Sequence, residues 1–193
     1  MNICLYGASS PDIAPIYSEK VFSLGAELAK RGHSLVYGGG ANGLMGAAAR
    51  GVTSKNGKLT GICPKFLNVD GILYDKCTEF IYTENMRERK RLMEEKSEGF
   101  VMVPGGIGTY EEFFEMLTLK QLGRHKKPIA IFNINGYFDM LDEMLKHTAS
   151  EKFMTDGCLG LYKSFDDGNL LLDWLEAYKP NENGGIFKNI QIR

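Results

Sequence analysis

Short apolar runs alternate with longer segments of helical period along most of the chain, and this alternation constrains the fold more than any other feature. "NICLYG", "SLVYGG", "KLTGICP", the region of "CTEFIY", "GFVMVPGG" and "PIAIFNI" read as strands. Between the first two, Ile16 to Arg31 carries Val21, Leu24 and Leu28 at three- and four-residue steps and stops at Gly32. Further helices are expected from Leu44, Met86, Tyr110 and Tyr137. The rhythm is that of βαβ units, and it predicts an α/β, Rossmann-like three-layer fold: a mostly parallel sheet with helices on both faces. With 193 residues, 44% of them hydrophobic, the chain can bury one sizeable core. Residues 1–178 are therefore expected to form a single domain, followed by a polar, Gly/Asn-rich tail over 179–193. "PKFLNVDGILYDK" is the longest irregular connection.

The formal net charge of −1 offers no field to attract nucleic acid or an anionic membrane, so an anionic ligand must be met by local groups. No apolar run approaches the roughly 20 residues that span a bilayer, and the N-terminus lacks the pattern of a secretory signal. A cytoplasmic location is expected. Cys4, Cys63, Cys77 and Cys158 are scattered without a C-x-x-C pair and read as free thiols, with Cys4 and Cys63 inside apolar runs. His33, His125 and His147 are equally dispersed, so neither a metal site nor a Cys/His nucleophile pair has support.

In open parallel sheets, ligands bind beyond the carboxyl ends of the strands, and two glycine clusters fall there. "YGGGANGLMG" places Gly38, Gly40 and Gly43 in a G-x-G-x-x-G spacing between a strand and a helix. A dinucleotide site would want an acidic residue about 20 positions later for the ribose, where this chain reads "ICPKF". No G-x-x-x-x-G-K-[ST] element is present either. The second cluster, "VPGGIGTYEEFFEM", sets Gly105, Gly106 and Gly108 ahead of a helix expected to start near Thr109. Without Cβ atoms the backbone can bring its N–H groups against a ligand, and the helix adds its positive dipole end. A phosphate cradle is expected. The same glycines could serve only as a tight strand-to-helix turn.

Thr109 and Glu112 fit the capping box S/T-x-x-E, which would give Glu112 a purely helix-capping role. Winding the segment at about 100° per residue puts Tyr110, Phe113, Phe114 and Leu117 on one arc and Glu111 and Glu115 opposite, with Glu112 at the arc's margin. A carboxylate there, beside the cradle, is placed to reach the sugar of a nucleotide. In "NMRERKRLMEEK", Met86, Arg89, Lys90 and Met93 share one helical face, so two cations stand where a solvated charge run would otherwise be the ordinary reading.

Taken in order and spacing, "GGGANGLMG", "MRERK" and "PGGIGTYEE" resemble the LOG (Lonely Guy) family of cytokinin riboside 5'-monophosphate phosphoribohydrolases, whose hallmark is PGGxGTxxE. The resemblance runs over roughly residues 2 to 175 and includes "QLGRHKKPIAIFNINGYFDML". It implies hydrolysis of the N-glycosidic bond of a purine nucleoside 5'-monophosphate, without cofactor or metal, by a LOG-like nucleotide-binding catalytic domain. Arg89 and Glu112 match the family's catalytic arginine and glutamate. Substrate contacts are expected from Gly39, Gly43, Met86, Lys90, Gly105, Gly106, Ile107, Gly108 and Thr109, and assembly as a homodimer or larger. Members are often labelled lysine decarboxylases, but these motifs suggest no pyridoxal phosphate site. Arg87 and Leu119 depart from the histidine and tryptophan common in plant-type members, which leaves AMP and prenylated adenine nucleotides both open as substrates. The alternative is a nucleotide or molybdenum cofactor carrier with the same glycine loops and no catalysis.

Overall fold

A computed structural model describes residues 1–69 and 71–180. Seven strands, β1 (Asn2–Tyr6), β2 (Ser34–Tyr37), β3 (Leu59–Pro64), β4 (Glu79–Thr83), β5 (Gly99–Met102), β6 (Ile129–Phe132) and β7 (Lys163–Phe165), form one sheet in the order β4-β3-β2-β1-β5-β6-β7. Every pairing between them is parallel, so the expectation of a mostly parallel sheet understates the regularity. Helices α1 (Pro15–Lys30), α2 (Gly43–Thr53), α3 (Met86–Glu95), α4 (Ile107–Gln121), α5 (Asp139–Ser150) and α6 (Gly168–Ala177) make the crossovers and the closing element.

Alternation along the central strand sorts the two faces. Ile3 and Leu5 of β1 point into a core built with α1, α2 and α6, while Cys4 and Tyr6 point into a second core with α3, α4 and α5. The central strands β1, β5 and β6 are short and almost wholly apolar because both their faces are covered, as a parallel sheet requires. The result is the expected three-layer α/β domain.

The strand order has one functional consequence. Chain direction runs outward from β1 on both sides, through β2 to β4 on one and through β5 to β7 on the other, so β1 and β5 flank the topological switch point. Loops leaving their carboxyl ends cannot follow the same side of the sheet and part to leave a crevice.

Several boundaries differ from the sequence reading. α4 begins at Ile107, three residues before the expected Tyr110, because Gly106 is already the N-cap. A 3₁₀ turn over Ile134–Gly136, with Asn135 at φ 54°, intervenes before α5, which starts at Asp139 rather than Tyr137. β7 and α6 were not anticipated: β7 is three residues long at the sheet edge and has no apolar run to reveal it. The expected polar tail lies, over 181–193, outside the described residues.

Candidate active site

The crevice is built by three loops. After β1, Gly7, Ala8 and Ser9 run past the end of β5, where the Ala8 N–H donates to the Pro104 carbonyl at 3.0 Å. After β5, Gly105 and Gly106 lead into α4. Gly105 is forced by crowding: a Cβ there would collide with the Thr109 side chain and the Ala8 nitrogen. Gly106 and Gly108 have open space beside them, so their small size keeps the helix start accessible. The third loop, after β2, carries the first glycine cluster. Gly43 sits at φ 59°, in the left-handed region, and packs on the backbone of Ala8 to Ser10.

No side chain caps α4. The capping box expected from Thr109 and Glu112 is therefore absent: with Gly106 as the N-cap, Thr109 already lies at the third helical position and its side chain tucks, buried, against Gly105. The first intrahelical bond runs from the Tyr110 N–H to the Gly106 carbonyl at 3.1 Å, so the N–H groups of Ile107, Gly108 and Thr109 have no helical acceptor. They are aligned donors at a positive dipole end.

Relieved of capping, Glu112 turns to α3. Its Oε1 accepts a hydrogen bond from Arg89 Nη1 at 2.8 Å, and the two side chains are 12% and 10% exposed. Arg89 Nε donates to the Ile62 carbonyl at the end of β3, 3.2 Å away, which aims the guanidinium across the strand ends. Gly38 lets it pass, since a Cβ at that position would strike Nη2. Burial pushes the Glu112 carboxyl above its ordinary value, against the opposing pull of Arg89. Asn85 caps α3 by accepting from the Glu88 N–H at 3.0 Å, and this fixes the helix that presents Arg89.

A cleft of about 280 Å³ lies between these loops. Met86, Arg89, Gly106, Gly108, Thr109 and Glu112 line it, all anticipated from the sequence. Gly39, Gly43, Lys90, Gly105 and Ile107 do not: Gly39 and Gly43 shape the neighbouring loop, Gly105 lies buried beneath, and the Ile107 side chain is fully out in solvent. Lys90 lies on α3 with Nζ at 2.5 Å from Glu111 Oε1 and 3.0 Å from Glu115 Oε2, bracing α3 to α4. Sequence reasoning missed Gly7, Ala8, Ser9, Met45 and Glu111. A signal for the first three was available, a glycine directly after the first strand, but only the strand order shows that this loop meets the second cluster.

The site combines a helix start whose first N–H groups are unpaired within the helix with a buried Arg/Glu pair one helical turn away. Such a pairing can hold a phosphate and present a carboxylate to whatever is attached to it.

A family model described as "Possible lysine decarboxylase" matches residues 45–175. A cytokinin riboside 5'-monophosphate phosphoribohydrolase of Arabidopsis thaliana is 35% identical over 97% of this chain and 82% of its own length. The LOG enzyme of that same name from Oryza sativa subsp. japonica is 34% identical over 99% of this chain and 79% of its own. Among solved structures, the molybdenum cofactor binding protein of Rippkaea orientalis superposes with a TM-score of 0.71 at 19% identity, covering 91% of this chain and 95% of that one. The Moco carrier protein of Chlamydomonas reinhardtii gives 0.68 at 24% identity, with coverages of 91% and 97%. At these identities the structural likeness speaks for the fold alone.

Proposed function

The chain belongs to the LOG family of cytokinin riboside 5'-monophosphate phosphoribohydrolases, and on that premise we propose that it hydrolyses the N-glycosidic bond of adenosine 5'-monophosphates, N6-modified ones included, to free base and ribose 5-phosphate. The observation that carries this reading is the buried pair of Arg89 and Glu112 at the rim of the α4 helix start.

The 5'-phosphate is received by the N–H groups of Ile107, Gly108 and Thr109, with Gly106 leaving room for the approach. Anchoring the phosphate places the ribose over Glu112 and turns the reaction into one of fixed geometry. Cleavage of the C1'–N bond gives the sugar oxocarbenium character, which a nearby carboxylate stabilises. Glu112 has one oxygen committed to Arg89 and the other available for a ribose hydroxyl or the attacking water. Arg89 holds Glu112 in place and supplies fixed positive charge for the departing base or the phosphate. Lys90 acts less directly: by neutralising Glu111, which lines the cleft, it keeps a second carboxylate from repelling the phosphate.

The test is to incubate the purified protein with AMP and with isopentenyladenosine monophosphate, with the matching nucleosides as controls, and to follow free base by chromatography. Base from the monophosphates and none from the nucleosides supports a phosphate-dependent glycosidase, and the ratio of the two rates ranks its substrates. Intact nucleotides would transfer the site to the carrier reading.

A homodimer or larger assembly is part of the proposal. Light scattering on the eluting protein tests it. A cytoplasmic setting is supported by four cysteines, all unpaired. No described helix is long and apolar enough to cross a membrane.

A further inference from the structure

A second cavity, of about 370 Å³, adjoins the cleft, and the two share Ser9, Met45 and Arg89 in their walls. Its lining is mostly apolar: Met45 and Cys63 are joined by Leu67, Ile72 and Leu73 from the β3–β4 connection. Backbone bonds stitch that connection to the first glycine cluster, from the Ala41 N–H to the Ile72 carbonyl at 2.8 Å and from the Tyr74 N–H to the Gly39 carbonyl at 2.9 Å. A flat aromatic ring suits such a chamber, whereas the donors a phosphate needs stand in the neighbouring cleft.

Two polar side chains in the lining, Ser9 and Asn42, make no hydrogen bond among the described residues, and of the two only Asn42 carries its donor and its acceptor on separate atoms. Asn42 is the N-cap of α2, with the extended backbone (φ −103°, ψ 171°) from which an asparagine ordinarily caps the second or third helical N–H. It makes no such bond. The Ala8 carbonyl has taken both positions, accepting from the Leu44 N–H at 2.9 Å and the Met45 N–H at 3.3 Å. The helix is thus capped by the β1 loop, and Asn42, an exposed residue in the wall of the chamber, keeps its carboxamide free of the helix.

A carboxamide offers one acceptor and one donor at the spacing that matches the 6-amino group and N7 of adenine. A 6-oxopurine presents acceptors at both places and leaves the asparagine oxygen without a donor. We propose that the second cavity receives the base and that Asn42 reads its 6-position edge, selecting 6-aminopurine over 6-oxopurine nucleotides. The inference rests on the reading of the cleft as a nucleoside monophosphate site. An N6-alkyl group leaves one N–H for Asn42, and Leu67 and Ile72 offer it apolar contact.

Calorimetric titration with AMP, IMP and ribose 5-phosphate tests this in a Glu112→Gln background, where turnover does not obscure binding. AMP is expected to bind about tenfold more tightly than IMP. Adding Asn42→Val should erase that ratio by weakening AMP while ribose 5-phosphate affinity stays unchanged, and Asn42→Ala serves equally should valine disturb the loop. An AMP to IMP ratio that survives either substitution overturns the inference, as does equal binding of the two nucleotides before substitution. Free base from the wild-type enzyme is scored separately: its absence, with the binding ratio as expected, overturns the proposed reaction and leaves the role of Asn42 standing.

Discussion

Arg89 Nη1 lies 2.8 Å from Glu112 Oε1, a contact between residues 23 apart in sequence, and each side chain is roughly nine-tenths covered. Removing either partner leaves the other as a buried charge, a situation that costs about 3–5 kcal/mol. Arg89→Met should therefore lower stability by that order as well as abolish turnover, measurable by urea denaturation beside a base-release assay. Glu112→Gln, which keeps a hydrogen-bond acceptor for Arg89 but removes its counter-charge, should cost part of that stability. It should reduce kcat by about 10³-fold while nucleotide affinity changes little. Near-normal turnover in Glu112→Gln would reduce Glu112 to a positioning role for Arg89.

Burial raises the Glu112 carboxyl above its ordinary value, and this sets the sign of a pH effect. The reaction uses the ionised carboxylate, so kcat/KM, which follows the free enzyme, should fall as pH drops through the raised value, and its acid limb should lie above the ordinary value of the group. A rate profile whose acid limb sits at or below the free-carboxylate value of 4.5 would contradict the assignment.

Gly38 is predicted to be intolerant of even one methyl group. An alanine Cβ would meet Arg89 Nη2 and Met45 Sδ, and the guanidinium, tied at its other edge to Ile62, has to swing away from Glu112. Gly38→Ala should lower kcat/KM by about 10²-fold while the circular dichroism spectrum stays that of the wild type.

Lys90→Ala should raise KM for nucleoside monophosphates by exposing the charge of Glu111 at the cleft, with kcat nearly preserved. Because the repulsion is between partly exposed charges, salt screens it. The ratio of variant to wild-type KM should shrink between low and high ionic strength; a ratio indifferent to salt would mean that Lys90 touches the phosphate directly or acts only as a brace.

His125 gives a prediction independent of catalysis. Its Nε2–H donates to the Met116 carbonyl at 2.9 Å while Nδ1 accepts from the Lys127 N–H at 3.2 Å, so the ring is held neutral, and burial pushes its pKa down to about 4 from 6.5. The unfolded chain binds the proton first, so the contribution is present above pH 6.5 and is lost as pH falls from 6.5 to about 4. Melting temperature should decline over that window in the wild type, and His125→Gln should flatten that part of the profile.

Much of the fold was legible because it depends on local periodicity. Apolar runs with no polar face mark strands covered on both sides, and the steps of Val21, Leu24 and Leu28 mark a helix with one buried stripe. The edge strand β7 escaped because three residues in "KSF", the first two exposed, carry no such period. Lys120 escaped for the opposite reason: it reads as a surface cation, yet it is buried on α4 with Nζ donating to the Leu161 carbonyl at 2.7 Å.

By itself the sequence determined the kinds of parts: a parallel three-layer sheet, a glycine-bounded helix start able to hold an anion, and helical faces that bring Arg89 inward on α3 and Glu112 to the edge of the core on α4. Tertiary structure alone decided how the parts meet. With β1 beside β5 the Gly7–Ser9 loop abuts the second glycine cluster, and a carbonyl from that loop caps α2 in place of Asn42. Glu112, which local pattern assigns to its own helix start, is claimed instead by an arginine from another helix. Periodicity reports which face of an element turns inward and is silent on which element waits there, because that depends on strand order and on backbone groups brought together from distant parts of the chain.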